Sequence, residues 1–246
     1  MSAIVEDSTR GRFDGRTVVV TGAGRAGQVG EAVAREFGRR GASVQIIDRD
    51  AARAENLAAA MRAEGLAVEG YGCDLTDSDA TGALARRISD SRDGRVHALA
   101  NVAGGFAMSG PVAESAPATL TQQLAINLGS AFGATRAFLP LLRPARGAIV
   151  FMAAAAILPG GKVAGLSAYA AAKAGVAALM RAVAQEERVS GVRANALAPT
   201  AIRTAANLES MGEKFPYVER EAVAAMIAFL CSDVAANVNG QVIELA

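Results

Sequence analysis

A glycine-rich turn between a short strand and a helix constrains the fold of this chain more than any other feature. The apolar run Thr17–Val20 leads into Thr21–Gly30, which contains four glycines, and a helical pattern follows from Glu31. Glycines in this setting let the backbone approach a pyrophosphate, and the helix N-terminus supplies N–H donors and a positive dipole. A glycine-rich turn can also serve only as a tight bend. The strand before it and the helix after it favour a dinucleotide-binding turn.

Short apolar segments alternate with longer helical patterns along the rest of the chain. Continuous apolar character in short strands is typical of a parallel sheet that helices cover on both faces. The sequence therefore predicts an α/β fold with a doubly wound parallel sheet of about seven strands. The predicted strands are 17–20, 44–47, 68–73, 96–100, 148–152, 192–197 and 241–245. The predicted helices are 31–40, 50–64, 77–92, 117–142, 169–190 and 221–231, and Asp77 is predicted to cap the third of them.

Composition and charge exclude several classes of function. The 246 residues carry a formal net charge of +1, so no strongly basic field predicts nucleic acid as a partner. No run approaches the ~18 apolar residues of a membrane span, and no signal peptide is evident, so no membrane partner is expected. The single histidine, His97, cannot build a His-based metal site, and Cys73 and Cys231 are expected to be free thiols. We expect one domain over 13–246 after a disordered tail over 1–12, a cytoplasmic location and no metal.

A carboxylate at the end of the second predicted strand bears on the choice of dinucleotide. Asp48 lies 18 residues after Gly30, where it can accept hydrogen bonds from ribose hydroxyls and repel a 2′-phosphate. Arg25 and Arg49 favour the opposite preference, because arginines pair with a 2′-phosphate. The alternative role for Asp48 is that of a helix N-cap or a solvated turn residue. We predict NAD as the cofactor, with NADP as the alternative.

Tyr169 and Lys173 are spaced by four residues at the start of a predicted helix. This spacing places both side chains on one helical face. Carbonyl reduction needs a proton donor at the new alkoxide, and a nearby ammonium is expected to lower the pKa of a tyrosine toward neutrality. A surface pair on a helix is the alternative interpretation.

The order of these motifs resembles the short-chain dehydrogenase/reductase family. Its Thr-Gly-x-x-x-Gly-x-Gly turn is similar to Thr21–Gly30 with a two-residue insertion, its Asn-Asn-Ala-Gly motif to Asn101–Gly104, and its Tyr-x-x-x-Lys pair is present. The resemblance implies a Rossmann fold and an NAD(P)-dependent oxidoreductase acting on a small-molecule substrate. The cofactor-binding residues that it implies are Gly22, Arg25, Gly27, Val29, Gly30, Asp48, Arg49, Asp74, Leu75, Asn101, Ala103, Gly104, Tyr169, Lys173, Pro199, Ile202 and Thr204.

The resemblance also assigns roles within this set. Asn127 matches the family's helix asparagine, which supports a water beside the lysine. Asp74 matches an aspartate at the adenine edge. Ala198–Thr204 resembles the segment that meets the nicotinamide carboxamide, where Ile202 would offer its backbone.

The chain departs from the family at the serine that polarises the substrate carbonyl. Residues 153–156 are all alanine, and Ala154 is the best match to the serine. Losing one such donor typically costs ~10²–10³ in rate. Three explanations stay open: a substrate that reacts with Tyr169 and Lys173 alone, as in the similar dihydropteridine reductase branch; Ser167 or Ser109 as a substitute; or a nucleotide-binding protein without redox activity, including non-redox lyase or isomerase chemistry. Ser167 is otherwise predicted to be a helix N-cap.

Apolar side chains are predicted to line a substrate pocket with Ala154, and a short polar segment over 204–220 to close over it. A small or flat apolar carbonyl, alcohol or quinonoid substrate is expected. The family usually forms tetramers, so we expect a homotetramer or homodimer. The predicted pocket residues are Phe106, Phe151 and Met211, with Met108, Leu158 and Phe215 as further candidates.

Overall fold

A computed structural model describes residues 11–246 of the chain, so most of the tail predicted over 1–12 lies outside the described residues. The strands are β1 Thr17–Thr21, β2 Ser43–Asp48, β3 Val68–Gly72, β4 Ala98–Asn101, β5 Ala148–Met152, β6 Arg193–Pro199, β7 Ile202–Arg203, β8 Val218–Glu219 and β9 Val242–Leu245. The α-helices are α1 Val29–Arg39, α2 Ala51–Ala63, α3 Ser78–Ser91, α4 Pro117–Gln123, α5 Ser130–Leu142, α6 Ser167–Glu186, α7 Ala205–Met211 and α8 Arg220–Cys231.

Seven strands form one parallel sheet in the order β3-β2-β1-β4-β5-β6-β9. The chain runs outward from β1 to β3 and then returns to the other side of β1 at β4, where Val18 pairs with Ala98. The carboxyl ends of β1 and β4 therefore flank the point where the strand order reverses, which is where open α/β sheets bind ligands. The predicted doubly wound sheet is confirmed.

Helices cover both faces of the sheet, and each face has its own apolar core. On one face Phe37 of α1, Met61 of α2 and Ile227 of α8 are buried together. On the other face Ile88 of α3 and Phe138 of α5 share a second buried cluster with α6. Central strands such as β1 are buried along their whole length, which explains why they are apolar without alternation.

Side-chain caps account for several helix starts. Asp77 accepts the backbone N–H groups of Asp79 and Ala80, which confirms it as the cap of α3. The N-cap prediction for Ser167 is wrong, because Leu166 occupies that position and Ser167 is the first residue of α6. The Ser167 hydroxyl instead shares a hydrogen bond of 3.0 Å with Ser109, which also holds the Gly165 carbonyl.

The long helix predicted over 117–142 contains a wider turn in its middle. Leu124–Gly129 forms a π-helix between α4 and α5, and Asn127 lies within it. Such turns insert one extra residue into a helix and occur mostly at functional sites. Helical periodicity does not reveal the extra residue, so the prediction treated the segment as regular.

The segment between β6 and α8 is more ordered than its composition indicated. Thr204 caps α7 by accepting the N–H of Asn207 at 3.2 Å, and β7 pairs with β8 in a small parallel sheet. Across residues 11–246, no helix combines the length and apolar character that a membrane crossing requires.

Candidate active site

The glycine-rich turn is joined to the loop after β4 at the carboxyl edge of the sheet. The Thr21 hydroxyl oxygen accepts the N–H groups of Val102 and Ala103, each at 3.1 Å. Gly22 has a φ of +68°, and a Cβ there would lie 2.6 Å from the Ala103 Cα. Only glycine fits this approach, so the structure brings together two of the predicted cofactor segments. Thr21 was not among the predicted site residues, and its hydroxyl is the group that joins them.

The Asp48 side chain packs against Gly24, a residue of the glycine-rich turn that is not in the predicted cofactor-binding set. A Cβ at Gly24 would lie 2.5 Å from the Asp48 Cγ and 2.6 Å from its Cβ. The Asp48 carboxylate accepts the Asp50 N–H at 3.0 Å, and Asp50 itself caps α2 by accepting the Arg53 N–H. The alternative of Asp48 as the helix N-cap is therefore contradicted. The sequence did contain a signal for Gly24, because it is the one glycine of the turn beyond the three that match the family's motif.

Gly30 allows α1 to pack beneath the turn. A Cβ at Gly30 would lie 2.3 Å from the Gly22 carbonyl oxygen. Val29, the first residue of α1, is half-buried against the core on that face, while the Arg25 side chain at the tip of the turn is exposed. The N-terminal turn of α1 therefore lies directly under the strand end, as the dinucleotide interpretation requires.

Gly27 connects the longer turn to the segment that follows β6. Its N–H donates to Glu31 at 2.6 Å, and its carbonyl accepts the N–H of Ala205, the first residue of α7, at 3.3 Å. Glu31 also pairs with Arg35 at 3.0 Å and lies 3.7 Å from an Arg220 nitrogen. Gly27 thus gives the turn a direct contact with α7 and, through Glu31, a contact with α8.

Asp74 and Arg49 lie at the neighbouring strand ends. Asp74 accepts hydrogen bonds from the Thr76 hydroxyl at 2.7 Å and the Thr76 N–H at 2.9 Å. These bonds, with a further contribution from the Arg49 charge, lower the pKa of Asp74 below its usual value. Leu75 is buried in the core, so only its backbone is available to a ligand.

Asn101 ends β4 with its side chain buried. Its amide nitrogen donates to the Thr135 hydroxyl at 3.0 Å, while its amide oxygen has no hydrogen-bond partner within residues 11–246. A buried acceptor without a partner is uncommon and costs free energy unless a ligand or water supplies a donor. Asn101 therefore lies at the carboxyl end of β4, and its side chain is buried there.

Lys173 is buried at the carboxyl ends of β4 and β5. Its ammonium donates to the Met152 carbonyl at 2.8 Å, and burial lowers the pKa of Lys173 to about 8. A Cβ at Gly104 would lie 2.6 Å from the Asn127 amide oxygen and 3.5 Å from the Lys173 Nζ. The absence of a side chain at Gly104 therefore lets both the lysine and the asparagine approach the loop after β4.

Asn127 binds that loop at two points. Its amide nitrogen donates to the Gly105 carbonyl at 2.9 Å, and its amide oxygen accepts the Gly105 N–H at 3.2 Å. The same nitrogen also reaches the Gln123 carbonyl, one turn earlier, at 3.1 Å. The π-helical turn directs Asn127 toward the loop, so Asn127 and Lys173 both lie beside the loop after β4.

Tyr169 lies one helical turn before Lys173, with the Lys173 Nζ 5.8 Å from its ring centroid. The Phe106 ring stands edge-on to the tyrosine at a centroid distance of 5.0 Å. Burial raises the pKa of Tyr169 to about 12, which is opposite to the decrease expected from a nearby ammonium. The Lys173 ammonium is directed at the Met152 carbonyl, and this explains why its charge does not offset the desolvation of the phenol.

The predicted substrate pocket is only partly supported. Ala154 is extended and 5% exposed, in the loop that follows β5. Phe151 has no exposed surface and packs in the core of the second face, so its assignment to the pocket is wrong. It belongs to a central parallel strand, whose two faces are both covered. Phe106 is 62% exposed and contacts Tyr169, while Met211 is 41% exposed on α7.

The residues predicted for the carboxamide lie after β6. Pro199 is buried at the end of that strand. The Ile202 carbonyl accepts the side-chain amide of Asn207 at 2.8 Å, and Thr204 caps α7. A backbone contact from Ile202 to a carboxamide stays a prediction. Among residues 11–246, no three potential metal ligands of the His, Cys, Asp or Glu type are grouped.

Comparison with known proteins gives a consistent result. The family model for short chain dehydrogenases matches residues 16–214. The chain is 38% identical over 253 residues to the (5R,7aS)-5-hydroxy-7a-methyl-1-oxo-2,3,5,6,7,7a-hexahydro-1H-indene-carboxyl-CoA reductase of Mycobacterium tuberculosis, covering 98% of this chain and 95% of that protein. It is 32% identical over 243 residues to the D-threitol dehydrogenase of Mycolicibacterium smegmatis, covering 93% of this chain and 90% of that protein. A 7α-hydroxysteroid dehydrogenase complexed with NADH and 7-oxo glycochenodeoxycholic acid superimposes with a TM-score of 0.87 at 27% identity, over 97% of this chain and 96% of that one.

Proposed function

Because this chain belongs to the short chain dehydrogenase family of oxidoreductases, we propose that it is an NAD-dependent dehydrogenase or reductase of a small apolar carbonyl/alcohol pair or a related quinonoid group. The observation that carries the proposal is the cluster formed by Lys173, Asn127 and Gly104, one helical turn from Tyr169. We expect it to be a cytoplasmic homotetramer or homodimer with a single domain over 13–246.

The residues present fit a dinucleotide. Gly22 and Gly24 keep the turn free of side chains where two further segments approach it, and Asn101 carries a buried amide oxygen that lacks a partner within residues 11–246. The turn would hold the pyrophosphate with the first amides of α1. Asp48 would accept the adenosine ribose hydroxyls, and this supports NAD over NADP. Arg25 and Arg49 are exposed near this carboxylate and are the residues that would pair with a 2′-phosphate if NADP were the cofactor.

Bound reduced nicotinamide supplies a hydride, and the chain supplies the matching proton. In the reduction direction Tyr169 would donate its phenolic hydrogen to the carbonyl oxygen. The hydroxyl is protonated at neutral pH, but burial raises its pKa to about 12, so proton donation depends on stabilisation of the phenolate that forms. The Lys173 ammonium, with a pKa of about 8, would stabilise the phenolate left behind, and Asn127 fixes the loop beside it.

The substrate proposal depends on Phe106 and Ala154. Phe106 presents an exposed ring beside Tyr169, which suits a flat apolar partner. Ala154 adds no hydrogen-bond donor, so a carbonyl that is already polarised by conjugation suits the site best. Two compared proteins are named for a fused-ring CoA thioester and for a hydroxysteroid, and both names are compatible with an apolar ring ketone.

One observation favours the second candidate, a dinucleotide-binding protein without redox turnover: residues 153–156 lack a hydroxyl that could polarise a substrate carbonyl. Similarity to the dihydropteridine reductase branch stays a prediction.

One experiment separates the two candidates. NADH and NADPH are titrated by fluorescence, and NADH oxidation is then followed across a panel of apolar ring ketones and dihydropterins. We expect NADH to bind more tightly than NADPH, and Tyr169→Phe to retain NADH binding while losing turnover. Binding without turnover by the native chain, and without gain in Ala154→Ser, would favour the non-redox candidate. Failure of both nucleotides to bind would contradict both.

A further inference from the structure

A cavity of about 540 Å³ lies at the amino ends of the parallel strands, on the opposite edge of the sheet from Tyr169. Residues that immediately precede β1, β4 and β5, or that begin β6, contribute to its wall, together with the ends of α6 and α8. Its polar lining includes Arg16, His97, Arg146, Arg188, Arg193 and Asp233. The proposed dehydrogenase function uses none of these residues.

Positive charge is concentrated in this cavity. The whole chain carries 25 basic and 24 acidic residues, yet the cavity is lined by four arginines and one carboxylate. Within residues 11–246, neither Arg146 nor Arg188 has a carboxylate within 4.0 Å, whereas Arg16 in the same cavity pairs with Asp233.

Two of the guanidinium groups are held in place. Arg193 donates to the Leu230 carbonyl at 2.7 Å and to the Ser232 carbonyl at 3.0 Å, so it neutralises the carboxyl end of α8. Arg146 has a φ of +48°, which is unusual for a residue other than glycine. Its guanidinium packs on Gly191, where a Cβ would lie 2.7 Å from the Arg146 Nε. Arg193 and Arg146 are therefore held in place beside the cavity, with the Arg193 donors bonded to backbone carbonyls.

His97 adds a neutral donor to the wall. Its Nδ1 accepts the Thr17 N–H at 3.1 Å, so the neutral ring carries its hydrogen on Nε2. Burial, followed by the charges of Arg16 and Arg95, lowers the pKa of His97 below its usual value. Guanidinium and imidazole N–H groups together offer many donors, which matches a ligand with several anionic oxygens.

We propose that this cavity binds a phosphate-bearing small molecule. Its volume lies within the roughly 300–1,000 Å³ of small-molecule sites, and a second cavity of about 430 Å³ shares Arg188 and Asn239 with it. Arg181 lines the second cavity. This cavity leaves room for the rest of the ligand, to which the phosphate is attached. Guanidinium groups form bidentate bonds with phosphate oxygens, so Arg146 and Arg188 are the binding residues.

The single histidine of the chain makes a direct test available. Inorganic pyrophosphate is titrated into the native protein while the ring signals of His97 are followed by NMR, with NaCl at equal ionic strength as the reference. We expect a saturable shift with pyrophosphate alone. Arg188→Gln and Arg146→Gly should each weaken the apparent affinity about tenfold, because each removes a charge-assisted bond. Arg146→Gly also relieves the left-handed backbone, so folding is retained.

Arg86→Gln is the matched control, because it removes one exposed arginine from α3 without touching the cavity. It should leave the affinity unchanged, and saturating NADH should leave the His97 shift in place, since the glycine-rich turn lies at the other edge of the sheet. Absence of a saturable shift up to about 10 mM pyrophosphate would overturn the proposal. Equal weakening in all three variants would also overturn it, because only net charge would then be at work.

Discussion

Gly24→Ala is the substitution that tests most directly how the glycine-rich turn and Asp48 cooperate. The new methyl group would lie 2.5 Å from the Asp48 Cγ, which is closer than non-bonded carbons approach. The φ of Gly24 lies outside the left-handed region, so alanine meets a steric conflict there without backbone strain. The carboxylate must therefore move away from the turn.

The size of the effect follows from what Asp48 does. Displacing the carboxylate removes its bond to the Asp50 N–H, worth about 1 kcal/mol, which lowers Tm by about 2–4 °C in a chain of this length. A charge-assisted bond to a ribose hydroxyl is worth about 1.5–3 kcal/mol, so the Kd for NADH should rise about tenfold to a hundredfold. Binding should suffer more than folding.

A double-mutant cycle supplies the control. Asp48→Gly removes both the carboxylate and the Cβ, which would also lie 2.6 Å from the new methyl group. In that background Gly24→Ala should cost no further NADH affinity, and the coupling energy should equal the cost of Gly24→Ala alone. Fluorescence titration of the four proteins measures it. Equal losses of affinity in the two backgrounds would refute the reasoning, because the methyl group would then act independently of Asp48.

Three further outcomes are expected. The rate of NADH-dependent reduction should fall as pH rises through about 8, because the lowered pKa of Lys173 means that its ammonium is present below that pH and lost above it; a flat profile from pH 7 to about 9 would exclude this role. Gly133→Ala in α5 should destabilise the chain by about 1–3 kcal/mol in urea unfolding, because its Cβ would lie 2.1 Å from the Leu75 carbonyl oxygen. The control Gly82→Ala in α3 meets only an arginine side chain at 3.6 Å and should stabilise by about 0.5–1 kcal/mol, so similar effects of the two would contradict the packing argument. Phe106→Ala should raise KM for apolar ring ketones about tenfold, and an unchanged KM would remove Phe106 from the substrate site.

The sequence was informative where local chemistry determines structure. Apolar runs located the strands, and Asp77 was recognised as a cap because its carboxylate bonds the N–H groups two and three residues later. The spacing of Tyr169 and Lys173 placed both on α6, since helical geometry fixes their relation. The parallel sheet followed from the same local patterns, because strands without alternation must be covered on both faces.

Contacts between segments that are far apart along the chain could not be predicted from the sequence. Serine is a residue type that commonly caps helices, but the Ser167 hydroxyl forms a hydrogen bond with Ser109, which lies 58 residues earlier. Phe151 was assigned to a pocket because its type suits one, although it lies within the predicted strand 148–152, whose apolar character already indicates that both faces are covered. The pKa of Tyr169 was expected to fall because the ammonium was assumed to face it, whereas the Met152 carbonyl holds Lys173.

Because of the π-helical turn around Asn127, α4 and α5 do not share the periodicity of one continuous α-helix. One surplus residue shifts the face of α4 by about 100° relative to a continuous α-helix with α5. Deleting one residue from Leu124–Gly129 would restore regular hydrogen bonding and remove the surplus. The helix would then have a regular hydrogen-bond pattern. Asn127, however, would rotate away from Gly105 and leave the N–H and carbonyl groups of Gly105 without their present partners. The most regular version of this helix is therefore incompatible with the loop that contacts Lys173.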